Sequence, residues 1–185
     1  MTTPYHPPRT GVGFTVEDLF DFPRDGYRYE LFDGSLVVTP PPAFPHAVAV
    51  TNVRDLLYDQ APKHLRIVDS AGIYPNETNY YIPDLMVISR EVLESGALGA
   101  RPEQALLVVE VVSPSNPSND IIFKRELYAG SGVPEYWIVD RRDHSLTVLQ
   151  LSENGKYLQR AVLHPGETWR ADRPFPLHID PAEIF

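Results

Sequence analysis

Glu110 stands inside Ala105–Val112 (ALLVVEVV), the most apolar run of a 185-residue chain. A lone carboxylate in such a run costs several kcal/mol unless it is paired or bound to a metal. Asp84 opens a second short apolar run, PDLMVIS (83–89). If both runs are neighbouring strands, about 4.7–4.9 Å apart, the two carboxylates meet at one rim of a sheet. Carboxylates placed so need a cation between them, or one must keep its proton. The following segment supplies a cation, Lys124, four residues after Asp120 and on the same side of a predicted helix. Asp84, Glu110 and Lys124 together are the set that metal-dependent phosphodiester hydrolysis uses. The carboxylates hold Mg²⁺ or Mn²⁺, which polarises a phosphate and acidifies a bound water, and the lysine stabilises developing charge or positions that water. The plain alternative is a buried Glu110–Lys124 ion pair, with Asp84 merely capping its strand.

These side chains meet only if particular elements form. Ala105–Val112 reads as a strand buried on both faces, with Leu106, Val108, Glu110 and Val112 on one of them. Asp84–Ile88 reads as its short neighbour. Ser113–Asn119 is a loop that returns the chain to a helix over Asp120–Gly130, stopped by Gly132 and Val133-Pro134. Before this unit, Asp33-Gly34 between Tyr27–Leu31 and Ser35–Thr39 is a hairpin signal. From His46 to Gln60 the residues Val50, Val53, Leu56 and Leu57 keep helical spacing, ended by Pro62. Thr15 is an expected helix N-cap with Asp18 three residues on. Leu65–Val68, Tyr80–Ile82, Tyr136–Val139, Leu146–Leu151 and Lys156–Leu163 are further strands, with a turn at Pro75-Asn76. Residues 1–13 read as a loose arm ahead of one domain over 14–185, and Pro181–Phe185 as a tail. The pattern is mixed α/β.

Composition narrows the chemistry. Cysteine is absent, which removes disulfides, thiolate metal sites and cysteine nucleophiles and suits a reducing compartment. Sixteen Lys and Arg against 25 Asp and Glu give a net charge of −9. That balance argues against a protein that coats nucleic acid by phosphate contacts, yet it is compatible with an acidic site that holds a cation. No apolar run is long enough to span a bilayer, and MTTPYHPPRT lacks the apolar centre of a signal peptide, so a cytoplasmic protein is expected. No phosphate-binding loop or G-x-G-x-x-G motif points to a nucleotide cofactor. Ser113 has no His/Asp partner nearby in sequence, which leaves a serine hydrolase unsupported.

Several strings follow one another in fixed order: YELFDG (29–34), His46, PDLMVIS (83–89), VVEVVSPS (108–115), D-x-x-x-K-x-x-x-Y (120–128) and GVPEYWIVD (132–140). Over residues 14–185 the chain resembles a family of small bacterial proteins described as "putative restriction endonucleases", within the PD-(D/E)XK nuclease superfamily. The resemblance implies a restriction-endonuclease-like fold, with a central mixed sheet flanked by helices and the hairpin as an N-terminal extension. It also implies Mg²⁺-dependent cleavage of DNA. One position departs from the superfamily pattern. Two residues after Glu110, where lysine is expected, stands Val112, and in the resembling family the lysine has moved to the next helix, at Lys124. The resemblance thus assigns Asp84, Glu110 and the backbone carbonyl of Val111 to the metal and Lys124 to the lysine's role. A homodimer that engages both strands is expected.

Supporting candidates each carry a bland reading. Glu30 is either an added site carboxylate or a surface hairpin glutamate. Asp120 either holds Lys124 or caps its helix. His46 touches the site or is structural, and Tyr128 orients Lys124 or packs, with packing favoured. Tyr136 and Trp137 suit core or a dimer surface. Arg125, Arg141 and Arg142 either contact phosphate or are solvated charge. Two rival functions remain: a catalytically inactive nuclease-fold binding or assembly module, and a glycosidase using Asp84 and Glu110 as acid and base.

Overall fold

A computed structural model describes residues 13–112 and 117–185, with the backbone alone described for 117–121. The expected arm therefore lies outside the described residues except for Gly13, as do Ser113 and the first part of the Ser113–Asn119 loop. In chain order the elements are β1 (Arg28–Phe32), β2 (Ser35–Thr39), α1 (Phe44–Gln60), β3 (Leu65–Asp69), β4 (Gly72–Asn76), β5 (Asn79–Tyr81) and β6 (Leu85–Ser89). They continue with α2 (Arg90–Glu94), β7 (Gly99–Ala100), β8 (Leu107–Val111), α3 (Pro117–Ser131), β9 (Glu135–Asp140), β10 (Ser145–Leu151), β11 (Tyr157–Leu163), β12 (Trp169–Ala171) and β13 (Leu177–Ile179).

Strand β8 is buried at every position, as its unbroken apolar sequence demands. Its odd-numbered residues Leu107, Val109 and Val111 face a core shared with Val53 and Leu57 of α1 and Ile179 of β13. Its even-numbered Val108 faces a second core with Tyr128 of α3, Tyr136 of β9 and Ile73 and Tyr81 of β4 and β5. The strand is the spine of a mixed six-stranded sheet in the order β11-β10-β9-β8-β6-β3. It runs antiparallel to β6, with Leu85 opposite Val109, and parallel to β9, with Glu110 opposite Ile138. A parallel neighbour requires a crossover, and α3 is that crossover. Helix α1 carries Pro45 in its first turn, where its missing N–H costs nothing, and ends ahead of Pro62.

The hairpin is more than an extension. Strands β1 and β2 open a second sheet in the order β2-β1-β5-β4-β7. Asp33 and Gly34 both take positive φ, 48° and 77°, as a two-residue turn of the primed type requires. Strand β1 joins β5 through Leu31 opposite Tyr80, and Phe32 stacks on Tyr81 at 5.3 Å. The N-terminal turn also differs from expectation. Thr15 donates both its N–H (2.7 Å) and its hydroxyl (2.9 Å) to Asp18 ahead of a 3₁₀ turn over Glu17–Asp21, so Asp18 is the acceptor. Residues Pro75-Asn76 end β4, and the reversal falls at Glu77-Thr78. Helix α3 starts at Pro117, before the predicted Asp120. The short pair β12–β13 was not legible, and the expected tail instead closes the core with Ile184.

Candidate active site

The rim where β6 and β8 run side by side carries Asp84 and Glu110, and α3 returns Lys124 above it. All three line one cavity of about 510 Å³ with Arg28, Glu30, Phe32, Val37, Thr39, His46, Val111 and Phe123. Strand alternation explains the roof: Arg28, Glu30 and Phe32 share one face of β1, and Thr39 and Val37 stand opposite the first two on β2. Phe32 also meets Phe123 of α3 at 5.3 Å, which ties the hairpin to the helix.

Glu110 sits between two groups one helical turn apart. Lys124 Nζ lies 2.9 Å from Oε2, and the Tyr128 hydroxyl donates to Oε1 at 2.7 Å. Burial dominates here and pushes the Glu110 carboxyl up to about 7. Lys124 pulls against that shift, while the negative charge of Asp84 adds to it. Burial and Glu110 in turn hold Tyr128 well above an ordinary phenol, so it stays a proton donor. Tyr128 therefore packs, fully buried, and orients the carboxylate that Lys124 pairs with.

Asp84 is held differently. Arg28 Nη1 reaches Oδ1 at 2.7 Å, and Oδ2 takes the Val111 backbone N–H at 2.9 Å and His46 Nε2 at 3.1 Å. Burial alone would raise this carboxyl, but the hydrogen bond and charge of His46, then Arg28 and Lys124, outweigh it and bring it down to about 2. His46 Nε2 also lies 3.1 Å from the Val111 carbonyl. Both neighbours are acceptors, so that nitrogen carries the hydrogen. Nδ1 is buried and has no partner among the described residues.

The remaining predicted residues divide. Glu30 is buried, not a surface glutamate, and accepts the Ile82 N–H at 2.8 Å beside the cavity. The Asp120 side chain lies outside the described residues. Tyr136 and Trp137 are fully buried core. Arg125 donates to the Tyr157 carbonyl at 3.1 Å, Arg142 pairs with Asp140, and neither they nor Arg141 are among the cavity-lining residues. Sequence reasoning missed Arg28. Its signal was the alternation on a strand, since a residue two positions before Glu30 must share Glu30's face.

The oxygens here suit a hard divalent cation. Asp84 and Glu110 offer carboxylates and Val111 a carbonyl, and the one imidazole at the site, His46, turns its protonated Nε2 to those oxygens. No three His, Cys, Asp or Glu side chains form a ready cage among the described residues. Mg²⁺ nonetheless takes one or two carboxylates and fills its shell with water and substrate phosphate, so the pair suffices. Asp84 Oδ1 and both Glu110 oxygens accept a single contact each among the described residues, leaving a lone pair on each.

Comparison with known proteins places the chain in a family. The profile of the Uma2 family, described as "Putative restriction endonuclease", matches residues 16–182. The chain belongs to the Uma2 family. Among solved structures it is similar to a crystal structure of "a putative nuclease belonging to DUF820" from Anabaena variabilis. That match has 15% identity and a TM-score of 0.67, over 93% of this chain and 97% of the other. At that identity the likeness establishes the shared fold, and with it the mixed α/β architecture expected of an Uma2 protein. None of the curated proteins matches. No helix among the described residues is long and apolar enough to cross a membrane.

Proposed function

We propose that this Uma2 protein is a metal-dependent endodeoxyribonuclease. The observation that carries the reading is the meeting of Asp84, Glu110 and Lys124, from three elements, at one cavity on the sheet rim. Asp84, Glu110 and the Val111 carbonyl would hold the Mg²⁺ or Mn²⁺. Bound there, the ion supplies Lewis acidity and an acidified water for attack on a phosphodiester. Tyr128 and Lys124 fix both oxygens of Glu110, so the carboxylate does not need to reorganise. Lys124, beside it, is the donor placed to stabilise charge on a phosphate entering the cavity. Phe32 and Val37 of the hairpin line the same cavity. A homodimer acting on the two strands of DNA accompanies this reading.

The test is plasmid cleavage by purified protein with Mg²⁺ or Mn²⁺, with a Glu110→Gln control and an EDTA control. Nicked and linear DNA is expected from wild type, and loss of cleavage from Glu110→Gln. Cleavage that persists in Glu110→Gln would place the activity elsewhere. The opposed shifts of Asp84 and Glu110 also suit a metal-free acid–base pair. Hydrolysis of a glycoside in EDTA, without DNA cleavage, would select that reading.

A further inference from the structure

Arg28 occupies a position that the nuclease reading does not use. Its guanidinium sits 2.7 Å from Asp84 Oδ1, with the Arg28 side chain 20% exposed and that of Asp84 3%. A carboxylate this buried needs a compensating positive charge. Glu110 and Glu30 lie close enough that, with Asp84, they outweigh the burial of Arg28 and hold its guanidinium more firmly protonated. Beside Lys124, which pairs with Glu110, Arg28 thus stands among three carboxylates, where a divalent ion would be most strongly attracted. A guanidinium and a divalent ion on the same carboxylate oxygen would repel each other across a dry site.

The backbone leaves the side chain room to move. Strand β1 joins β5 through Leu31 opposite Tyr80, and among the described residues its strand partner at Arg28 is β2, through Thr39. The long stem can turn without breaking the sheet. A guanidinium that leaves a carboxylate keeps a planar fork of donors matched to phosphate oxygens, and Arg28 already faces the cavity.

We propose that Arg28 is the resident cation of the metal-free site. It holds Asp84 until a divalent ion takes Oδ1, and then turns to the phosphate of the bound nucleic acid. The proposal rests on the nuclease reading and adds a residue to it. A residue that merely orients Asp84 would help metal binding, whereas a resident cation competes with it, so the sign of the effect separates the two.

The experiment titrates Mn²⁺ alone into the full chain by calorimetry, for wild type, Arg28→Ala, Arg28→Gln and Glu110→Gln. Arg28→Gln retains a hydrogen-bond donor for Asp84 without the charge, and serves if the alanine variant folds poorly. Both Arg28 variants are expected to bind Mn²⁺ at least about tenfold more tightly than wild type, since a competing charge at hydrogen-bond distance has gone. A second arm measures duplex DNA binding in Ca²⁺ across a salt series. The same variants should bind more weakly, with a log K against log salt slope smaller by about one. Arg28 variants that bind Mn²⁺ as wild type does, or less tightly, overturn the proposal. Unchanged DNA affinity and slope overturn its phosphate half. If Glu110→Gln binds Mn²⁺ as wild type does, the metal site of the nuclease reading fails instead, whatever the Arg28 variants do.

Discussion

Asp84 and Glu110 stand at neighbouring strand ends, are comparably buried, and are held in opposite electrostatic states. Asp84 draws on three elements: Arg28 from β1, His46 from α1 and the Val111 N–H from β8. Together these outweigh burial and keep it ionised. Glu110 draws on one helix, through Lys124 and Tyr128, and there burial exceeds what a single ammonium returns. The lesson is quantitative: at similar depth, the number of donors decides the charge. One half of the site is a fixed anion, and the other shares its proton near neutral pH.

Removing the cation from each half should expose this contrast, and the largest effect is expected at Lys124. Lys124→Met should lower DNA cleavage by about 10²–10³-fold, the usual cost of losing one charge-stabilising donor. It should also destabilise the fold more at pH 8 than at pH 5, because without Lys124 the buried Glu110 must hold a proton, which costs more as pH rises. Arg28→Met should cost stability almost equally at pH 5 and pH 8, because Asp84 is charged at both. Chemical denaturation of the two variants at the two pH values checks the pair. Equal pH dependence in both would erase the distinction between the halves.

A smaller effect is expected at Tyr128. Tyr128→Phe removes one hydrogen bond to a buried carboxylate and keeps the ring, so a loss of about 1–3 kcal/mol is expected in urea denaturation. Cleavage should fall by about 10–100-fold, as for other groups that orient a metal-binding carboxylate. No change in either quantity would mean that Lys124 alone holds Glu110.

The smallest signal is in the pH dependence of wild type. Glu110 has a folded value raised from 4.5 to about 7. Between those values the folded protein keeps a proton that the unfolded chain has released, so stability from this group is full below pH 4.5 and is lost as pH rises through 7. Asp84, lowered from 3.8 to about 2, works the other way. Its contribution is present above pH 3.8 and is lost as pH falls through 2. Thermal melts of wild type minus Glu110→Gln should therefore decline between pH 5 and pH 7.5. A flat difference would show that Glu110 ionises at its ordinary value.

The Glu110 half was legible because its partners are close in sequence. Tyr128 is 18 residues from Glu110, and one strand, one loop and one helix of known pitch suffice to bring Lys124 and Tyr128 back over the same strand. The unbroken apolar run around Glu110 also announced a buried carboxylate that needed company. The Asp84 half was not legible in the same way. Arg28 is 56 residues away, and His46 and Val111 are separated by 65. Local periodicity says which face of a strand or helix a residue occupies, but not which other element will cover that face. For the same reason Glu30 could be taken for a surface glutamate, when it is buried against the backbone of Ile82.

From residue order alone follow the two-sided strand around Glu110, the crossover helix with Lys124 and Tyr128 on one face, the hairpin turn at Asp33-Gly34, and the carboxylate at the head of PDLMVIS. These depend on backbone periodicity and on the cost of burying charge, which act over a few residues. Tertiary structure alone decided that the hairpin joins a second sheet and lays Arg28 on Asp84, and that His46 bridges Asp84 to the Val111 carbonyl. Those contacts join elements far apart in the chain, and the attraction of a buried anion for any cation within reach carries no sequence distance in it.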